Sequence, residues 1–299
     1  MKQFLCDAVD AILIMAVIIF LLFQQLANED GVTAATELSK GDLESKTVEL
    51  VYEGEKPDGA GSVQSFAITD DYFVVATRPK GTAAEGGEDD NQLIVIDRKS
   101  LEDVTDDFLA ATETYELGHA NGMTYDPVRD ELLVVSVRDN ANNYQRVAHI
   151  DADTFDRVYT EDLPCLATGI TYVPDEEKFV VRAADQVCIL DEKLDNVIVN
   201  YIADTPFAKQ DIGYDDGYVY FANWAGYEYY GNAGLRGYDI DDNVIFKYSL
   251  DGELQEGYYL EGISDELESV DFVDGEMYIL LNGSNSFFRN GYFGIYRVV

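Results

Sequence analysis

Basic residues are scarce in this 299-residue chain: 20 Lys and Arg stand against 58 Asp and Glu, a formal net charge of −38. Nucleic acids are held by clustered Lys and Arg on their phosphates, so this deficit excludes a nucleic-acid binder of the usual basic kind. Histidine occurs twice and tryptophan once. A catalytic zinc gathers three protein ligands, so a His-built zinc centre is not expected. There is no Cys-x-x-Cys, no phosphate loop and no Ser-His-Asp order, and beyond residue 46 no helical period of useful length. What is present is apolar bulk, 47% hydrophobic and 12% aromatic, enough for a full core in spite of the charge. A solvated acidic face suits exposure to salt or to an extracytoplasmic milieu. Crowded acids also attract calcium, but Asp239, Asp241 and Asp242, the nearest approach to a calcium loop, lack its Gly and its distal Glu. No cofactor is therefore expected, with calcium the one possibility left open.

One long apolar run exists, residues 11–27, preceded by Lys2 and followed by Glu29 and Asp30. Its length just suffices to span a bilayer as a helix, and the positive-inside rule places the rest of the chain outside. The expectation is a signal anchor over 1–27, giving a membrane-anchored, extracytoplasmic protein. A cleaved signal peptide, and hence secretion, is the alternative, although Ala27 with Gln25 two residues before it is a poor cleavage site. Residues 28–46 read as a polar linker.

From residue 47 onward the pattern is short β-rich runs broken by Gly, Asp and Asn. Five segments superimpose: 64–68 (QSFAI), 121–125 (NGMTY), 168–172 (TGITY), 210–214 (QDIGY) and 268–272 (ESVDF). Their spacings of 57, 47, 42 and 58 residues each suit one four-stranded blade. The fifth repeat runs out after three strands, whereas a spare strand at 47–52 precedes the first. The expected fold is therefore an all-β, five-bladed β-propeller over 47–299, closed by that N-terminal strand, which leaves no exposed edge at the seam.

The motifs GHANGMTYDP (118–127), KQDI (209–212), VIFKYSLDG (244–252) and ELESV (266–270) resemble a group of poorly characterised bacterial secreted or surface β-propellers. That resemblance implies a fold and a location and no substrate. More distantly, the chain resembles the five-bladed glutaminyl cyclotransferases, whose pocket combines an acid, amides and several Trp residues; here Trp224 is the only Trp.

Meander topology brings the start of each inner strand and the end of each second strand to one end of the ring. The inner-strand starts contribute Gln64, Asn121, Thr168, Gln210 and Glu268, joined by His119 and Asp211. The second-strand ends contribute Arg78, Arg138 and Arg182, then Asn223 and Asn282, with Trp224 opening an aromatic loop (Tyr227, Tyr229, Tyr230 and Tyr238) and Phe287, Phe288 and Arg289 in another. Three Arg at one repeat position suggest a guanidinium mouth for a carboxylate, phosphate or planar amide; pairing with neighbouring acids is the alternative. Two functions follow. One is a monomeric recognition module for a small polar or anionic molecule, a glycan or a peptide. The other is an enzyme, lactonase-like or cyclotransferase-like, with Glu268 as general acid/base and His119 beside it. An Arg ring would hold the Glu268 carboxyl down and so favour binding. Strand counting puts Cys165 and Cys188 roughly 9 to 10 Å apart, too far for a disulfide.

Overall fold

A computed structural model describes residues 35–79, 91–102, 117–136, 145–226, 234–283 and 291–299. Two N-terminal strands, β1 (Glu44–Lys46) and β2 (Val48–Glu55), precede five sheets. Blade one holds β3 (Ala60–Ile68), β4 (Tyr72–Pro79) and β5 (Leu93–Asp97). Blade two holds β6 (Gly122–Asp126), β7 (Glu131–Ser136), β8 (Arg146–Asp151) and β9 (Arg157–Asp162). Blade three holds β10 (Gly169–Val173), β11 (Lys178–Ala183), β12 (Gln186–Leu190) and β13 (Val197–Ile202). Blade four holds β14 (Ala208–Asp215), β15 (Tyr218–Trp224), β16 (Asn243–Ser249) and β17 (Leu254–Leu260). Blade five holds β18 (Glu266–Val273), β19 (Glu276–Asn282) and β20 (Tyr292–Val298). Each is an antiparallel meander. The fourth strand expected of blade one falls almost wholly outside the described residues.

Tight turns make the meanders. Between β14 and β15, and again between β18 and β19, the connection is a two-residue Asp-Gly loop with positive φ at both positions: 45° and 86° at Asp216 and Gly217, 54° and 74° at Asp274 and Gly275. Those are the angles a type I′ hairpin requires, and Gly takes them without strain.

Alternation then builds the core. Successive side chains point to opposite faces of a strand, so Phe73 and Val75 pack toward blade five while Val74 and Ala76 pack toward blade two. Every blade does the same, and the buried residues fall into five clusters, one at each blade interface. Phe66, Phe179, Phe221 and Phe293 are fully buried there, each contributing ~2 kcal/mol of apolar burial.

The ring closes as the repeat count requires: β2 pairs antiparallel with β20, Val48 opposite Val298 and Glu55 opposite Tyr292, so blade five is completed from the N-terminus. Residues 35–46 depart from the expected linker. Ala35 is buried in the cluster between blades three and four with Leu38 and Leu43 against it, and β1 adds in parallel to β17, making blade four five-stranded. Lys40 pairs with Asp242 at 2.9 Å and Asp239 at 3.4 Å and lies 4.0 Å over the Tyr259 ring. Two of the three acids read from sequence as the nearest thing to a calcium loop, Asp239 and Asp242, thus meet an ammonium group. The anchor expected over 1–27 lies outside the described residues; among these no helix is long and apolar enough to cross a membrane.

At the axis the inner strands are joined through side chains. Asp211, fully buried on β14, accepts hydrogen bonds from the backbone of Met123 (3.1 Å), Ile170 (3.1 Å) and Ile212 (2.8 Å) and from the Ser269 hydroxyl (2.9 Å), tying four blades together. A Cβ on Gly122 would sit 2.8 Å from its carboxylate and 2.6 Å from the Gly169 Cα, which is why the chain has Gly where β6 and β10 approach. Asp271 accepts from the Ile68 amide at 2.8 Å, and Thr124 from Tyr172 at 3.0 Å.

Candidate functional site

Three of the five inner strands carry a β-bulge at the repeat position singled out from sequence. The register slips around Gln64 on β3, across Gln210 and Asp211 on β14, and at Glu268 on β18. A bulge turns a side chain out of the regular alternation, and these three carry polar groups to one end of the axis. Asn121 stands one residue before β6. Together with Arg78, His119, Asn282, Lys56, Ser62, Gly61 and Glu266 they line a cavity of about 340 Å³ at the channel mouth.

Glu268 is the buried acid of this cavity, 1% exposed. Burial pushes its carboxyl well above the usual range and the neighbouring Glu266 adds to the effect; Lys56, the Asn282 amide and Arg78 oppose it. The Gln64 amide reaches its Oε1 at 3.5 Å. Glu266 is held by Gln210 (3.2 Å) and Asn282 (3.4 Å), both donating through their amide nitrogens. With those nitrogens committed, the amide oxygens of Gln64 and Asn282 are buried without a hydrogen-bond partner. Burial lowers the Lys56 ammonium against the pull of Glu268, Glu266 and Asp265. Arg78 donates to His119 Nε2 at 3.2 Å; since a guanidinium only donates, that ring nitrogen accepts.

Other expected residues are placed elsewhere. Asp211 is the axial tie described above. Arg182 is fully buried between blades three and four, donating to Ala184 (3.0 Å), Thr205 (2.8 Å) and Asn223 (3.3 Å) and lying 4.6 Å over the Phe221 ring, with burial pushing it down to about 10. Asn223 completes that knot through Thr205 at 2.8 Å. Thr168 bonds back to the Arg182 carbonyl at 3.1 Å, and its own carbonyl accepts from Asn121 at 3.2 Å. Trp224 ends β15 and is absent from the cavity lining. Arg138, Tyr227, Tyr229, Tyr230, Phe287, Phe288 and Arg289 lie outside the described residues, whereas Tyr238, expected with the loop aromatics, is buried in the cluster between blades three and four with its ring 4.8 Å from that of Phe207. Of the expected guanidinium mouth, Arg78 alone among the described residues lines the cavity.

Sequence reading passed over four members, Gly61 and Ser62 and the charged pair Lys56 and Glu266. Glu266 was legible, near Glu268 at the start of β18 and directly opposite Asn282, whose place at the mouth was expected. Lys56 was not, because the closing strand expected over 47–52 runs on to Glu55, and Lys56 follows it beyond the strand end read from sequence. Cys165 and Cys188 are both free and both buried, in the cluster between blades two and three. Cys165 lies on the segment crossing from β9 to β10, not on a strand, so strand counting does not set the distance.

No protein-family profile matches the chain, and no curated protein matches it in sequence. Among solved structures, Myxococcus xanthus glutaminyl cyclase superposes with a TM-score of 0.57 at 9% identity, covering 86% of this chain and 98% of that one. Kuenenia stuttgartiensis hydrazine synthase gives 0.44 at 12% identity, covering 76% of this chain and 57% of that one. At such identity the likeness to the cyclase is one of fold, and the fold it supports is the five-bladed β-propeller.

Proposed function

We propose that the channel-mouth cavity is an acid–base catalytic site in which Glu268 carries the proton, acting on a small polar substrate that bears an amine and an amide or acyl carbonyl. The observation that carries this reading is the state of Glu268. A buried carboxyl raised toward neutrality is what a proton shuttle requires. An Arg ring would have opposed catalysis, yet Arg182 lies between blades, and among the described residues Arg78 is the one Arg that weighs on Glu268, beside Lys56. The unpartnered oxygens of Gln64 and Asn282 add an indication of the ligand, for they can be satisfied only by N–H or O–H donors.

The reaction to test first is cyclisation of an N-terminal glutaminyl residue, the activity named for the structural neighbour. There the α-amine nitrogen forms a bond to the side-chain carbonyl carbon, the bond to the amide nitrogen breaks, and ammonia leaves. Glu268 would accept the amine proton and return it to the departing nitrogen. Lys56 and Arg78 would face the rest of the substrate. Purified protein incubated with glutaminyl peptides should release ammonia, and Glu268→Gln should abolish the release. Absence of turnover with glutaminyl peptides removes the cyclase reading; absence with aminoacyl amides and lactones as well removes catalysis.

The pair Lys56 and Arg78 favours a second reading, recognition of a polar or anionic ligand without turnover. Ligand binding that survives Glu268→Gln but falls with Arg78→Ala would select it. The run at 11–27 supports an extracytoplasmic, membrane-anchored setting, which fractionation of the intact protein tests.

A further inference from the structure

We propose that a second cavity, at the seam where the ring closes, is the subsite for the residue that follows the reacting end of a peptide substrate, and that it selects a Lys or Arg there. The proposal rests on the reading of the channel-mouth cavity as the reacting site, and it names what lies beyond the reacting carbonyl. The second cavity measures about 380 Å³ and shares two walls with the first, Lys56 and Gly61, so the two adjoin. Each is near the lower end of the volumes that enclose a small ligand, roughly 300 to 1,000 Å³. A peptide that sets its first residue against Glu268 therefore has the second cavity for the next one.

Hydrogen-bonded backbone frames this space where the chain passes from blade five to blade one. Glu55 ends β2 opposite Tyr292, and the Lys56 amide donates to the Gly291 carbonyl at 2.7 Å. The Ala60 amide then closes a tight turn on the Pro57 carbonyl at 3.0 Å, with Asp58 exposed within it. The described walls hold two carboxylates, Glu55 and Asp58, against one ammonium, Lys56. Lys56 stands at the partition, where Glu268 and Glu266 on the far side already draw on its charge. Glu55 accepts from the Tyr292 hydroxyl at 2.9 Å, which holds its carboxylate beside that ring. Pro57 and Tyr292 supply apolar surface. A long basic side chain matches both parts, its stem lying on apolar surface and its charged head on the carboxylates.

Three fluorescent peptides, identical except for Lys, Ala or Glu after an N-terminal Gln, should be given to the full-length chain at physiological salt. Ammonia release should rank them Lys, Ala, Glu, with kcat/KM at least ~10-fold higher for Lys than for Glu. The double variant Glu55→Gln, Asp58→Asn should bring the three within about twofold of one another. Where the parent turns over none of them, their binding to it, followed by fluorescence anisotropy, decides. Tighter binding of the Lys peptide that the double variant removes would then sustain the subsite while the catalytic reading fails. Equal rates in an active parent, equal binding to an inactive one, or binding of none would overturn the subsite. So would loss of the preference on Asp175→Asn with Glu177→Gln, exposed acids between β10 and β11 at the other end of the ring, since that would mark attraction to the acidic surface as a whole.

Discussion

Asp211 and Glu268 sit at bulges on the inner strands of blades four and five, and both are buried acids raised by desolvation. Their oxygens differ in company. Asp211 has three backbone amides and a hydroxyl upon it, whereas Glu268 has the long Gln64 contact, the Asn282 amide and a neighbouring carboxyl that disfavours its charge. Equal burial therefore produces two devices. An acid whose lone pairs are spent on the backbone is a tie between blades; one whose lone pairs face a cavity is free to exchange a proton.

Substituting the tie should have the largest effect on folding. Asp211→Ala leaves several donors unpaired at the axis and should cost at least about 3 kcal/mol in denaturant unfolding; a loss below about 1 kcal/mol would show that the blades hold without it. Arg182 makes the next comparison, with Arg78. Arg182→Ala opens a cavity beside Phe221 and takes a donor from Thr205 and Asn223, which keep their bond to each other, for about 2 kcal/mol, with no change in ligand binding. Arg78→Ala should leave unfolding within about 0.5 kcal/mol while weakening ligand binding by ~1.5 to 3 kcal/mol. Identical melting of the two variants would dissolve the distinction between a blade-interface Arg and a cavity Arg.

A third test uses pH. Burial raises Asp271 from 3.8 to about 7, against the Phe272 and Ile68 amides. The folded protein then keeps a proton that the unfolded chain loses, so this contribution to stability is full below pH 3.8 and is lost as pH rises through about 7. Glu268 and Asp211 act in the same direction. Melting should therefore fall from mildly acid to neutral pH, and Asp271→Asn should flatten the fall; a parent profile rising over that window would contradict the directions given for all three. Glu268→Gln should also be mild in structure, within about 1 kcal/mol of the parent, yet coupled to a loss of turnover of ~100-fold or more. A variant that unfolds like Asp211→Ala would make Glu268 a second tie.

Much of the ring was legible because a repeat position is a local property. The polar starts at Gln64, Asn121, Gln210 and Glu268 recur at blade spacing, and that recurrence placed them at one end of the axis before any coordinates. The same alignment misplaced Arg182. Sequence position sets where a Cα lies, but the long Arg side chain can reach the channel or turn into the blade interface, and the Thr205 and Asn223 acceptors drew it into the interface. Asp211, next to Gln210, shows the same limit, since a bulge sends adjacent residues to different places.

Two kinds of information separate along this line. Alternation, Asp-Gly turns and blade-length spacing are written within short stretches, so the sequence alone determined five meanders and the need for an N-terminal strand to close them. Contacts between distant stretches are not written that way. The arrival of Lys56 beside Glu266 and Glu268 and the Lys40 strap on blade four each depend on where the chain is carried in space. Tertiary structure decided those, because side-chain length and solvent exclusion act through space and leave no period in the sequence.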